Sequence, residues 1–144
     1  MIVHLFRGGL FGSMSLYVWG SNKSKQLNNQ KVLHCYSPVY IPGACGDNVP
    51  TAIATGDSHT LVLCESGDIY SFGRGKDGQL GHGDGDSSES NRVGGLEDET
   101  IISIAAGSSS SYAITSTGNV YQWLEASSLL LLASVTSCSH FLNV

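Results

Sequence analysis

Short apolar runs alternate with clusters of glycine, serine and aspartate through the middle of this chain. An apolar run at residues 52–55 is followed by a glycine, an alternating segment from Thr60 to Cys64, and a second apolar run at 69–72. The turn sequence Glu65-Ser66-Gly67-Asp68 separates the last two segments. Short strands between such turns are typical of an antiparallel meander. The pattern therefore predicts an all-β fold, with no helix longer than about ten residues before Glu125.

This unit is repeated along the chain. Residues 53–73 align without a gap to residues 104–124, an offset of 51 residues. An earlier partial copy, residues 16–20, aligns to residues 69–73 at an offset of 53, and Gln26-Leu27 then aligns to Gln79-Leu80. A spacing near 50 residues indicates propeller blades or another repeat array.

Glycine recurs at equivalent positions of the copies. In the turns before Asp68 and Asn119, glycine is free to adopt a positive φ. Gly73 ends its strand at a point where a side chain would obstruct packing against a neighbouring unit. We expect a structural role in the repeat for Gly20, Gly56, Gly67, Gly73, Gly78, Gly81, Gly107 and Gly118.

Three segments of the chain resemble a known family. They are Gly56-Asp57-Ser58-His59-Thr60, the strand at 67–73 and Gly78-Gln79-Leu80-Gly81. These segments resemble the repeat of the regulator of chromosome condensation, whose members fold as seven-bladed β-propellers. The resemblance covers residues 16–123 and departs from the family at Lys25 and Asn28, where the family has glycine. It implies a partial β-propeller built from antiparallel blade-like sheets.

The chain divides into five segments on this basis: a non-repeat segment at 1–15, a degenerate repeat at 16–50, the clearest repeat at 51–100, a truncated repeat at 101–123 and a non-family tail at 124–144. The first is expected to form a strand or to fray. The apolar run at 129–133 favours a short helix over the exposed edge of the last blade; the alternative is a tail that was never selected to fold. Seven units would need roughly 350 residues, so we expect a fragment, a truncated product or a chain that completes itself with another. Its open blade edges are expected to self-associate.

The composition excludes several classes of protein. Only 13% of the residues are charged, 18 are glycine and the formal net charge is −5, which argues against a disordered tail and against direct nucleic-acid binding. The three lysines Lys23, Lys25 and Lys31 are expected to lie in a solvated loop. The N-terminus lacks the features of a signal peptide, and the apolar run of the tail is far shorter than the ~20 residues of a membrane span. We expect an intracellular protein of the cytoplasm or nucleus with no membrane span.

The four cysteines, Cys35, Cys45, Cys64 and Cys138, form no CxxC pair. Reduced thiols are therefore expected, with a small loop closed by Cys35 and Cys45 as the alternative. Cys64 is expected to be a small buried apolar residue on its strand.

Several motifs suggest chemistry that their surroundings do not support. Residues 73–78 match GxGxxG, but no helix follows to hold a pyrophosphate. The acidic stretch at 82–89 lacks the spacing of an EF-hand. His59 follows Asp57 and Ser58 directly, so the three cannot align as a catalytic triad, and we expect His59 to donate a hydrogen bond to the backbone of an adjoining blade. We predict no metal, no cofactor and no enzymatic activity of the hydrolytic or redox kind.

Function is then expected to depend on loops that a rigid scaffold positions. The resemblance implies nucleotide exchange on, or binding to, a Ran-type small GTPase, with acidic residues in the loop before the repeat's histidine contributing. The matching residue here is Asp57, and its counterpart in the second copy is the uncharged Ser108. The alternatives are a partner platform of a ubiquitin-ligase or trafficking regulator, or a truncated product without autonomous function. We predict partner binding by Asp57, Ser58, His59, Arg74, Lys76, Asp77, Asp84 and Asp86.

Overall fold

The computed structural model describes residues 2–7, 14–28, 33–82, 85–123 and 129–134. These residues contain twelve strands and no helix, which confirms the all-β prediction. In chain order the strands are β1 (Ile2–Arg7), β2 (Met14–Ser21), β3 (His34–Tyr40), β4 (Ala44–Asp47), β5 (Pro50–Thr55), β6 (His59–Cys64), β7 (Ile69–Gly73), β8 (Ser87–Arg92), β9 (Ile101–Ala106), β10 (Ser111–Thr115), β11 (Asn119–Trp123) and β12 (Leu129–Ser134).

Apart from β4, the strands of the described residues form three antiparallel sheets, which we call blades 1, 2 and 3. Blade 1 has the order β1-β2-β3, blade 2 the order β5-β6-β7-β8 and blade 3 the order β9-β10-β11-β12. The three strands predicted for the clearest repeat are confirmed as β5, β6 and β7. The predicted hairpin turns are also confirmed: Gly67 and Gly118 have φ values of +87° and +86°. Strands such as β6 and β7 pair because the turn between them is short, whereas the paired strands β7 and β8 are joined by the longer segment 74–86.

Blade 1 corresponds to the last three strands of a complete blade. The partial copy at 16–20 lies on β2, where Leu16 pairs with Leu5 of β1. The equivalent residue of blade 2, Ile69, pairs with Leu63 of β6. Strand β1 is therefore the counterpart of β6, and the described part of blade 1 has no counterpart of β5. Of the two outcomes expected for the first segment, the structure shows a strand at 2–7.

The tail supplies the fourth strand of blade 3. Leu129 pairs with Trp123, and β12 runs antiparallel to β11 at the position that β8 has in blade 2. The expected helix is wrong for residues 129–134, because the edge of β11 offers a row of backbone groups that an apolar segment satisfies better as a strand than as an isolated helical turn. The rest of the tail lies outside the described residues.

Each blade has a front face toward the preceding blade and a back face toward the following one. In β6, Val62 points forward into the core between blades 1 and 2, while Leu61 and Leu63 point back into the core between blades 2 and 3. Both cores join an aromatic ring of a front face to aliphatic side chains of a back face. The aromatic rings are Phe72 in the first core and Trp123 in the second.

The structure corrects the prediction for the cysteines. Cys45 and Cys64 form a disulfide across 19 residues, whereas Cys35 is free and buried. The Cα atoms of Cys45 and Cys64 lie 6.3 Å apart, within the usual range for a disulfide. The pairing arises because β4 returns beside the end of β6, a proximity that sequence spacing does not reveal. Cys138 lies outside the described residues.

Candidate functional site

The loops at one end of the blades form a continuous surface, which we call the loop face. It comprises the β5–β6 loop at 56–58, the described part of the β7–β8 loop at 74–82 and 85–86, and the β9–β10 loop at 107–110. The first and third loops are closed in the same way, by Gly56 N–H to His59 C=O at 3.0 Å and Gly107 N–H to Ser110 C=O at 2.8 Å. A Cβ atom at Gly56 would lie 2.3 Å from the Gly107 carbonyl oxygen. The two loops are therefore in direct backbone contact.

Asp57 lies at the seam between blades 2 and 3. Its side chain is exposed, and its Oδ2 accepts a hydrogen bond of 2.7 Å from the Ser108 hydroxyl. Ser108 is the residue that occupies the position of Asp57 in the next copy of the repeat. The lack of charge at Ser108 is thus compatible with a role for Asp57, since the hydroxyl donates to the carboxylate and holds it in place.

The β7–β8 loop carries the other charged residues that we predicted to bind a partner. Arg74 and Asp77 form an ion pair of 3.2 Å with both side chains partly exposed, so it contributes at most about 1 kcal/mol. Lys76 is exposed, and Asp86 accepts a hydrogen bond of 3.2 Å from the Gly75 N–H. Asp84 lies outside the described residues. Among those described, Asp57, Ser58 and this loop lie together, because the Arg74 N–H donates to the Ser58 carbonyl at 2.8 Å.

The centre of the β7–β8 loop is buried rather than available to a partner. Gln79 and Leu80 are inaccessible to solvent, and turns, not a helix, follow the glycine-rich segment 73–78. Gly78 and Gly81 have φ values of +73° and +70°. In blade 1 the equivalent positions are occupied by Lys25 and Asn28, which adopt the same left-handed conformation, with φ values of +63° and +49°. The turn is thus retained without its glycines, at a conformational cost to blade 1.

The buried part of this loop joins blade 2 to blade 3 by hydrogen bonds. The Gln79 carbonyl accepts one hydrogen bond of 2.8 Å from the Ser111 hydroxyl and another of 2.9 Å from the Trp123 indole N–H. The same fastening joins blades 1 and 2, where the Thr60 hydroxyl donates to the Gln26 carbonyl at 3.0 Å. The repeated Gln-Leu pair gives no sequence signal for this role, because the contact depends on backbone carbonyls.

His59 belongs to this buried network and not to the exposed surface. Its Nε2 lies 2.9 Å from the Ser111 hydroxyl, which already donates its proton to Gln79. Nε2 must therefore carry a proton and donate to Ser111, which leaves Nδ1 unprotonated. Two predictions are corrected: His59 contacts a side chain of the adjoining blade rather than its backbone, and the imidazole is fully buried and cannot touch a partner.

This environment makes stability sensitive to acid. Burial lowers the pKa of His59 from 6.5 to about 4, partly opposed by the nearby Asp57 carboxylate. Between pH 6.5 and pH 4 the imidazole binds a proton in the unfolded chain but not in the folded chain. The contribution of His59 to the free energy of unfolding is therefore complete above pH 6.5 and is lost as the pH falls toward 4. We expect the free energy of unfolding to fall by about 3 kcal/mol at most through this effect.

Urea unfolding of the wild type and of His59→Gln between pH 7 and pH 4 measures this contribution. Carboxylates titrate in both proteins, so the difference between the two curves isolates the histidine. The stability of the wild type should fall more steeply than that of the variant between pH 6.5 and pH 4; parallel curves would show that the imidazole is not neutral in the folded chain.

The sequence matches the family model described as the regulator of chromosome condensation (RCC1) repeat at residues 15–63 and 66–114, and a second model of the same description at 51–79. Among curated proteins it is 37% identical over 113 residues to the RCC1 domain-containing protein RUG3, mitochondrial, of Arabidopsis thaliana, covering 75% of this chain and 24% of that protein. It is 30% identical over 129 residues to the E3 ubiquitin-protein ligase HERC2 of Mus musculus, covering 85% of this chain and 3% of the ligase.

Solved structures share the architecture of the chain. The structure of Prp20p from Saccharomyces cerevisiae, reported with its binding properties to Gsp1p and histones, superposes with a TM-score of 0.69 at 21% identity. The match covers 85% of this chain and 35% of Prp20p. The chain thus spans about a quarter of RUG3, about a third of Prp20p and a small part of the ligase. In the described ranges, no helix is long and apolar enough to cross a membrane, and no group of three His, Cys, Asp or Glu side chains could hold a metal ion.

Proposed function

The chain belongs to the regulator of chromosome condensation (RCC1) repeat family, and from this premise we propose that it is a protein-interaction module that binds its partner through the loop face. The faces between blades are occupied by the two hydrophobic cores. The loop face instead carries exposed groups of both signs, held on loops between paired strands. Residues in this setting are available for recognition without disturbing the core.

We propose a small GTPase of the Ran type as the partner. The observation that carries this proposal is the exposed Asp57 carboxylate, which the Ser108 hydroxyl of the next blade holds at the seam between two blades. A carboxylate fixed in this way competes electrostatically with the phosphates of a bound nucleotide for Mg²⁺ and for positive groups. The resemblance to Prp20p, whose binding to Gsp1p is reported, supports the class of partner.

The described blades present only part of a propeller face. A stable complex buries about 800 Å² on each partner, and the loop face of two blades offers a smaller surface. We therefore expect weak binding and little or no acceleration of nucleotide release by this chain alone.

Substitution of Asp57 tests the proposal. Asp57→Asn keeps the size of the side chain and its hydrogen bond to Ser108 but removes the charge, so binding to the GTPase should weaken by about tenfold, the loss typical of one charged contact. Glu65→Gln is the matched control, since Glu65 is exposed in the β6–β7 turn at the opposite end of blade 2. Binding is measured by biolayer interferometry and exchange by the release of a fluorescent guanine nucleotide. Equal affinities for the wild type and Asp57→Asn would show that this loop does not contact the GTPase.

A second candidate is a platform that holds a partner or substrate of a ubiquitin ligase. The observation that favours it is the 30% identity to HERC2 over 85% of this chain. Under this proposal the loop face still binds a protein, but the partner is not a GTPase, and nucleotide release is unaffected even where binding is retained. If neither partner class binds, the remaining proposal is a truncated product without autonomous function.

The compartment is also a proposal: we place the chain in the cytoplasm or nucleus, while RUG3 is named as a mitochondrial protein.

A further inference from the structure

Three cysteines lie in the core between blades 1 and 2. Cys35, Cys45 and Cys64 are all buried there, and the disulfide joins Cys45 to Cys64. Structural disulfides are typical of oxidising compartments, whereas disulfides of the cytoplasm and nucleus are usually catalytic or redox-sensing. In the compartment proposed above, a disulfide of this chain therefore indicates a redox role.

The two halves of the disulfide belong to elements that are held differently. Cys64 ends β6 in the middle of blade 2, and its N–H donates to the Asp68 carbonyl at 2.9 Å. Cys45 lies on β4, which belongs to none of the three sheets of the described residues. Besides the disulfide, the Ser90 hydroxyl links β4 to blade 2 by donating to the Ala44 carbonyl at 2.6 Å. Cleavage of the disulfide therefore loosens β4 while the sheet of blade 2 stays paired.

A small pocket lies beside the disulfide on the side of Cys45. It is partly open to solvent and has a volume of about 220 Å³, less than the ~300 to 1,000 Å³ of ordinary ligand sites. The pocket therefore admits the thiol end of a small molecule rather than a whole cofactor. Of the two bonded cysteines, Cys45 lines the pocket and Cys64 does not. The lining residues lie at 14–16, 40–41, 43–46 and 48–50.

We propose that the disulfide is a reversible redox site that exchanges with small thiols of the glutathione type through the Cys45 sulfur. The small thiolate attacks Cys45 Sγ and forms a mixed disulfide with it, and Cys64 leaves as a thiolate that takes up a proton. A second small thiolate then attacks the small-molecule sulfur of the mixed disulfide. This step releases the oxidised small disulfide and the Cys45 thiolate, which is protonated in turn. The protein disulfide thus gains two electrons and two protons, which two small thiols supply as they join.

Reduction removes a covalent link at the junction of blades 1 and 2. Segment 41–49 connects β3 of blade 1 to β5 of blade 2, and Ala44 and Cys45 of this segment are buried in the core of that junction. The described core between blades 2 and 3 contains no cysteine. The redox state should therefore change the first junction and leave the second as it is.

Thermal unfolding followed by circular dichroism measures this effect. Reduction should lower the melting temperature of the wild type by about 5 to 15 °C, because the open chain gains conformational freedom when unfolded. Cys45→Ala cannot form the disulfide, so its melting temperature should not respond to the reductant. Hydrogen exchange at Gly46 and Asn48 should become at least about tenfold faster on reduction, while exchange in β10 stays unchanged. Equal melting temperatures for the oxidised and reduced wild type would contradict a role of the disulfide at this junction.

Glutathione buffers test whether the disulfide is reversible in the intracellular range. The purified chain is equilibrated with about 5 mM glutathione at ratios of reduced to oxidised form from about 1:1 to 1,000:1, which span oxidising and reducing compartments. Acid quenching, alkylation and mass spectrometry of peptides then give the state of each cysteine. The pair should be half open within this range, and Cys35→Ala should have the same midpoint because it retains the pair. A pair that stays closed at the highest ratio, or open at the lowest, would overturn the proposal.

Single-cysteine variants of the pair test which sulfur is attacked. With oxidised glutathione, Cys64→Ala should form a mixed disulfide on Cys45 at least about tenfold faster than Cys45→Ala forms one on Cys64, because only Cys45 lines the pocket. Equal rates would show that the pocket does not direct the reaction. If either variant fails to fold by circular dichroism, the wild type is quenched with acid during its reduction. Glutathione is then expected on Cys45, and its presence on Cys64 instead would overturn the assignment.

Discussion

Replacement of Trp123 by alanine is expected to lower the free energy of unfolding by about 3 to 5 kcal/mol, the usual range for a large buried aromatic residue. Trp123 is almost completely buried in the core between blades 2 and 3, and its indole N–H donates to the Gln79 carbonyl at 2.9 Å. The substitution leaves a cavity and an unsatisfied carbonyl lone pair at the same place. Blade 3 should therefore separate from blade 2 at a lower urea concentration than in the wild type.

Trp123→Phe is the matched control for this substitution. Blade 2 has Phe72 at the equivalent position, so an aromatic ring of that size is accommodated by a blade of this kind. Phenylalanine retains most of the packing but loses the hydrogen bond, and the expected cost is about 1 to 2 kcal/mol. Urea unfolding followed by circular dichroism, together with hydrogen exchange of β10 and β11, measures both variants. A decrease of less than 1 kcal/mol in the free energy of unfolding for Trp123→Ala would contradict the conclusion that this ring is the main contact of blade 3 with blade 2.

Gly73→Ala is expected to cost at least about 3 kcal/mol, the sum of a strained backbone and a steric clash. Gly73 has a φ of +117°, which residues with a Cβ atom rarely adopt. A Cβ atom there would lie 2.5 Å from the Ser58 carbonyl oxygen and 2.8 Å from the His59 Cα, both of them backbone atoms that cannot rotate away. It would also lie 3.3 Å from the Gln26 Cα of blade 1, as expected for a strand end packed against a neighbouring unit.

Gly85→Ala separates the two contributions. Gly85 has a φ of +119°, close to that of Gly73, but no atom of the described residues, its chain neighbours aside, lies within 4 Å of the position its Cβ would take. This variant carries the backbone strain alone, which we expect to cost about 1 to 3 kcal/mol. The comparison is made by urea unfolding under identical conditions. Equal losses for the two variants would mean that the backbone around Gly73 moves aside and that the close approach of the blades is not required.

The glycines illustrate how far sequence patterns reach into the candidate site. Their recurrence predicted the hairpin turns and the tight strand end at Gly73, because these conformations depend on local backbone geometry. The recurrence of glycine gives no sign that Lys25 and Asn28 adopt the left-handed conformation at two positions without glycine. That outcome depends on the packing of blade 1 against blade 2, which stabilises a turn that its own residues disfavour.

The loops of the site also combine a feature that the sequence predicts with contacts that it does not predict. The resemblance predicts that Asp57 binds a partner, which stays a prediction, and the exposure of Asp57 depends only on its place in a short loop. The hydrogen bond between Asp57 and Ser108 joins residues 51 positions apart. His59, which was predicted on the surface, lies in the core because blades 2 and 3 stack against each other. Neither contact has a local sequence signal, because each depends on the distance between neighbouring sheets.

Hydrophobic pattern, turn residues and a 51-residue offset are properties of the chain taken in order, and they are enough to predict the strands of the repeat, their antiparallel order and the family. The strand at 129–134, the pairing of Cys45 with Cys64 and the burial of the blade faces depend on the folded arrangement. An apolar segment adopts the conformation whose backbone hydrogen bonds its surroundings can complete. A thiol likewise pairs with whichever thiol the fold brings near. Both depend on neighbours that are distant along the chain.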